Sequence, residues 1–78
     1  MSAERATLNA IEQAVQTTVE ANAQAVRRWK AQEPGSWGFL AGQAVDACRR
    51  SLSRRLLDEE RRQVWRHLWI RLSLLELE

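Results

Sequence analysis

Along residues 2–32 the large apolar side chains fall at Leu8, Ile11, Val15, Val19, Val26 and Trp29. Their separations are three, four or seven residues, which repeat one face of a helix and not the alternation of a strand. No glycine or proline interrupts before Pro34. Ser2 is placed to cap such a helix, with Glu4 in its first turn. The pattern therefore predicts one long helix over 2–32. Its apolar seam is thin. Ala14, Ala21, Ala23 and Ala25 supply small side chains, and Asn22 stands where an apolar residue is expected. This helix can lie close to a neighbour but offers little area of its own.

Glu33-Pro34-Gly35-Ser36 is the sharpest punctuation in the chain. Proline disfavours helix at the residue before it, and Gly35 is free to take a positive φ. Ser36 is the expected cap of the next helix. That second helix is expected over about 37–56, with Trp37, Leu40, Ala41, Ala44, Val45, Cys48, Leu52 and Leu56 on its apolar face. A third is expected over about 59–76. The boundary is placed near Leu57-Asp58 because Arg49, Arg50, Arg54 and Arg55 would sit toward one helix C-terminus. Asp58, Glu59 and Glu60 would open the next, and both arrangements complement the macrodipole. One continuous helix over 36–76 and a break at Ser51-Leu52-Ser53 are the alternatives.

From Val64 to Leu77, nine of fourteen residues are large and apolar. Val64, Leu68, Leu72 and Leu75 share one face, with Trp65 and Trp69 beside it. Ile70, Leu74 and Leu77 extend the arc well beyond the roughly 100° stripe of an ordinary surface helix. Such a helix touches more than one neighbour, and a second copy of the chain is the expected extra one. Trp65, Leu68, Trp69, Leu72 and Leu75 are the residues expected at that interface. No segment reads as a strand, since hairpin turns and alternating runs are missing. The expected fold is all-α: a single domain over 1–78, a small bundle of three helices, dimeric. Leu77-Glu78 is set aside as a cloning remnant.

Composition sharpens the need for that partner. The chain has 78 residues, of which 45% are apolar, and many of these are alanine. A chain this short buries only about 60–65% of its unfolded surface and leans on a staple or a partner. One cysteine closes no intrachain disulfide, and one cysteine with one histidine builds no four-ligand zinc site. No stretch approaches the roughly 18 apolar residues of a membrane span, and no signal-peptide core is present. A lone cysteine fits a reducing compartment, so a cytoplasmic location is expected, away from membranes.

Charge is uneven. Residues 27–71 hold eleven basic and five acidic side chains, whereas the segments on either side are net acidic. Eleven of the chain's twelve basic residues are arginine. Arginine suits forked contacts to phosphate or carboxylate, and a GC-rich genome yields the same bias without function. Arg49, Arg50, Arg54, Arg55, Arg62 and Arg66 form the expected surface for an acidic protein partner or, alternatively, a nucleic acid. Asp58, Glu59 and Glu60 are interleaved with them at ion-pairing spacing, which favours a solvated, salt-paired face.

Candidate chemistry is sparse. Gly35-Ser36-Trp37-Gly38 lacks the glycine two before the serine and the preceding strand that a nucleophile elbow requires. His67 has no serine, cysteine or carboxylate at a supporting spacing, so it reads as packing or surface. Cys48, on an apolar face, reads as a small buried hydrophobe. Gly38 and Gly42 are one helical turn apart, and each costs about 1 kcal/mol against alanine. Close approach of another helix, in the same chain or a second copy, is the expected compensation. The four tryptophans are expected in the core and dimer core; the alternative is that one or two form a recognition surface. No catalytic residue, cofactor or metal is assigned. The expected function is a non-enzymatic helical module for self-association and protein interaction. A small arginine-rich nucleic-acid-binding accessory protein is the alternative.

Overall fold

The computed structural model describes residues 3–75 and is all-helical, with no strand among them. Four helices follow in order: α1 (Ala3–Ala21), α2 (Ala23–Lys30), α3 (Ser36–Leu52) and α4 (Asp58–Leu74). The molecule measures 40 × 20 × 19 Å. With helices about 10 Å across, its cross-section holds only a single cluster of packed helices. Each helix therefore keeps one side in solvent. α1 packs on both α3 and α4, α3 on α4, and α2 on α3.

The long first helix of the sequence reading is divided at Asn22. That residue leaves the helical region at φ −127°, ψ 49°. Its side-chain amide donates to the Thr18 carbonyl at 2.9 Å. Local side-chain bonding of this kind competes with the helix ladder, which explains how one polar residue breaks a pattern that lacks glycine and proline. The ladder restarts at once, with the Val26 N–H donating to the Asn22 carbonyl at 3.0 Å. Ser2 and Leu77-Glu78 lie outside the described residues.

Two helix ends close in the same way. At the end of α2 the Gln32 N–H donates to the Trp29 carbonyl and the Glu33 N–H to the Arg28 carbonyl, both at 2.9 Å. At the end of α3, Ser53 and Arg54 repeat this pairing with Arg50 and Arg49, at 3.3 Å each. This is the Schellman arrangement, which places one residue in the left-handed region. Gln32 (φ 62°) and Ser53 (φ 57°) take that role, although glycine usually does. The expected helix over 37–56 accordingly stops at Leu52, the alternative break of the sequence reading, and the next begins at Asp58. Residues 53–57 form a linker in which Leu56 is still buried.

Ser36 does not cap α3. Gly35 occupies the cap position in a left-handed conformation at φ 85°. Ser36 is the first helical residue, buried, and its hydroxyl donates back to the Glu33 carbonyl at 2.7 Å. The hydroxyl thus fastens the turn instead of satisfying the helix start.

The core draws Ala10, Ile11, Ala14, Val15 and Val19 from α1 and Val26 from α2. α3 adds Leu40, Ala41, Ala44 and Cys48, the linker Leu56, and α4 Val64, Leu68 and Leu72. Each large side chain fully enclosed here contributes about 1.5–3 kcal/mol of burial free energy. The alanines on α1 and α3 let those two helices approach, so the thin seam becomes a close contact. Leu8 lies outside the core, exposed on α1.

Candidate interaction surfaces

The C-terminal helix sorts its apolar residues into two groups. Val64, Leu68 and Leu72 are fully buried within the chain. Trp65 (40% exposed), Trp69 (54%), Ile70 (50%) and Leu74 (76%) face outward, and Leu75 is half-buried. Of the five residues expected between copies, Leu68 and Leu72 are therefore spent on the monomer's own core. Their i, i+4 spacing with Val64 aims them at α1 and α3. Trp65 and Trp69 keep free surface.

Trp65 walls a groove between α3 and α4 of about 380 Å³. Gly38, Ala41 and Gly42 line the groove, together with Trp37, Val45 and Arg61. Among the described residues, a methyl group added at Gly38 or Gly42 meets no atom within 4 Å beyond its chain neighbours and its own helix backbone. The close helix approach expected over these glycines is thus not made inside the chain. They keep the groove open instead.

At the end of the molecule where α2 turns into α3, three indoles meet. Trp69 lies edge-on to Trp29 at 5.3 Å between ring centroids and 90° between planes. It meets Trp37 at 5.7 Å and 78°. Edge-to-face pairs of this kind contribute about 0.5–1.5 kcal/mol beyond their burial. The Lys30 ammonium stands over the Trp29 ring, 5.5 Å from its centroid. A cleft of about 630 Å³ opens on this cluster, bordered by the turn from Gln32 to Trp37. Trp29 and Trp37 are half-buried, Trp69 is more exposed, and all three border the cleft. Nothing in the spacing 29, 37 and 69 announces this meeting, because the three residues belong to three helices.

The six arginines of the expected basic surface split evenly. Arg49 and Arg50 both pair with Asp46, at 2.6 and 3.1 Å. Arg54 makes a two-pronged contact with Glu60, 2.8 Å on each prong. Arg55, Arg62 and Arg66 are exposed and make no ion pair among the described residues. Asp58 is taken by Arg61. Of the pairs expected from Asp58, Glu59 and Glu60 at i, i+3 or i, i+4 spacing, Asp58–Arg61 forms. Half of the basic surface is instead taken up by Asp46 and by Glu60, which reaches six residues back to Arg54.

Glu60 is the most constrained carboxylate. It joins the linker to α4 by accepting the Leu57 N–H at 2.8 Å while it holds Arg54. The Arg54 guanidinium first, and the Leu57 N–H second, hold its pKa down to about 2. The Asp46 carboxyl is likewise lowered, chiefly by its hydrogen bond from Arg49. Cys48 is fully buried on the α3 face, as the sequence reading expects. Burial pushes its thiol above the ordinary value; Glu60 adds to that rise and Arg54 opposes it.

His67 is half-buried and shares a shallow groove with Glu12, Ile70, Arg71 and Leu74. Among the described residues no group of three His, Cys, Asp or Glu side chains could hold a metal ion. No helix among them is long and apolar enough to cross a membrane. Comparison of the chain with protein-family models, curated proteins and solved structures finds no match.

Proposed function

We propose that the protein is a non-enzymatic helical interaction module that self-associates through the groove between α3 and α4 and the exposed indole of Trp65. The groove carries this reading. Its two glycines leave backbone open to solvent beside an exposed tryptophan, at a helix-propensity cost of about 1 kcal/mol for each glycine. Close approach of a helix from a second copy would repay that cost and cover indole area. Tryptophan with a polar rim is also the composition that concentrates binding energy at interfaces. In such a dimer Arg55, Arg62 and Arg66 remain available to an acidic protein partner.

Light scattering at high micromolar concentration is expected to return twice the chain mass of 9.0 kDa. Trp65→Ala is expected to shift the equilibrium toward the single chain. A mass of one chain across the concentration range would reject the reading.

The same three arginines, which make no ion pair among the described residues, support a second reading, binding of a nucleic acid through phosphate contacts. Titration of a generic duplex at low salt separates the two. Binding that weakens steeply with added salt would favour the nucleic-acid reading. No binding at low salt would remove it.

A further inference from the structure

We propose that the cleft over Trp29, Trp37 and Trp69 binds a methylated ammonium group. An indole face carries the negative end of the ring quadrupole and attracts a cation within about 6 Å of its centre. Trp69 stands nearly perpendicular to both other rings, so the cleft presents indole surface in two orientations. One of these faces already holds a cation. The chain's own Lys30 ammonium sits 5.5 Å from the Trp29 centroid. Glu33 lies on the rim of the cleft, and its carboxylate enters no ion pair among the described residues. Aromatic walls with a carboxylate at the edge complement a positive charge.

The walls also select the kind of cation. A bare ammonium is strongly hydrated and requires hydrogen-bond acceptors when it sheds that water. A methylated ammonium has fewer N–H groups to satisfy, or none, and presents methyl surface to the rings. Gln32, Ser36 and Ser73 share the border with the three indoles, and it is the indole surface, which methyl groups can cover, that favours alkylated nitrogen over a bare ammonium. Lys30 is then a tethered competitor for the Trp29 face. This site is separate from the α3–α4 groove. Trp37 borders both, but Trp65 belongs to the groove alone.

The full chain, labelled with ¹⁵N, is titrated at constant ionic strength with choline, tetramethylammonium and the neutral isostere 3,3-dimethylbutanol. The indole N–H signals of Trp29, Trp37 and Trp69 are expected to move together and saturate with the two cations, while Trp65 stays still. The neutral isostere is expected to bind about three- to thirtyfold more weakly, the range that a cation–π contact supports. Trp69→Leu and Glu33→Gln should weaken choline binding. Lys30→Gln, at an exposed position that leaves the core untouched, should strengthen it by vacating the Trp29 face. A short peptide carrying trimethyllysine identifies the source of the group. Tighter binding than choline assigns a protein side chain, and weaker binding a free head group. Equal response to the neutral isostere, equal movement of all four indoles, or weaker binding in Lys30→Gln would overturn the proposal.

Discussion

The first and last helices make opposite use of their apolar residues. α1 has few large ones and many alanines, yet it buries Ala10, Ile11, Ala14, Val15 and Val19. α4 is the most apolar stretch of the chain, yet it buries only Val64, Leu68 and Leu72 and leaves four large residues in solvent. Periodicity, not apolar content, decides burial. Every core residue of α1 falls on one seam that α3 and α4 cover from two sides. In α4 the apolar arc is wider than one neighbouring pair of helices can cover. A thin helix is therefore central to this fold, and a rich helix supplies its surface. One face of the last helix closes the monomer's own core, and its outer arc stays exposed.

The sharpest break of this comparison pairs Leu68→Ala with Leu74→Ala. Leu68 is fully buried, so its truncation should cost about 2–5 kcal/mol in urea unfolding. Leu74 is mostly exposed, and its truncation should stay within about 0.5 kcal/mol. Similar losses at the two sites would mean that the outer arc of α4 is covered. On α1, Ala14→Leu should overpack the seam and lower stability by about 1–3 kcal/mol. A neutral result would show that α1 can lift away from its neighbours.

Smaller effects sharpen the contrast. Ser53→Gly should stabilise by about 1 kcal/mol, since glycine takes the left-handed conformation without the penalty that serine carries. An unchanged midpoint of thermal unfolding would argue against that cap. Gly42→Ala should raise single-chain stability by up to about 1 kcal/mol through helix propensity, as the added methyl meets nothing within the chain. If a second copy rests on that glycine, the same substitution should weaken association, and a rise in both quantities would exclude close backbone contact there.

Acid should separate the two ends of the α3–α4 connection. Glu60 has its pKa depressed from 4.5 to about 2 in the folded chain. Its charged form is favoured by folding, so the stabilisation is complete above about pH 4.5 and is lost as pH falls toward 2. Unfolding followed across that window should show a decline that Glu60→Gln reduces. Asp46, also lowered, should leave a residual slope. An unaltered profile in Glu60→Gln would mean that its contacts with Arg54 and Leu57 do not persist in solution.

The helix faces were largely legible in the sequence. Leu40, Ala44 and Cys48 on α3, and Val64, Leu68 and Leu72 on α4, follow the 3.6-residue repeat directly. Asn22 was visible as an off-pattern residue, but its break depends on a side-chain bond to Thr18, which composition does not signal. The end of α2 was legible to within two residues because Pro34 follows it. The end of α3 at Leu52 was only the alternative break, because its left-handed residue, Ser53, is not glycine and the usual stop signal is missing. The glycine in the α2–α3 turn was legible as a conformational necessity, yet its taking the cap position displaced Ser36 from the role it was assigned. Of the surfaces, Trp65 and Trp69 were legible as candidates. The meeting of Trp29, Trp37 and Trp69 was not, because it arises from the tertiary path of three helices and no local spacing encodes it.

The buried thiol of Cys48 gives this small molecule an internal clock. No reagent can alkylate it while α3 and the elements over it stay closed. Its labelling rate therefore measures how often that part of the molecule opens. When reclosing is faster than capture, the rate divided by that of an unstructured thiol gives the population of the open form. One cysteine among 78 residues makes that readout unambiguous without any added probe.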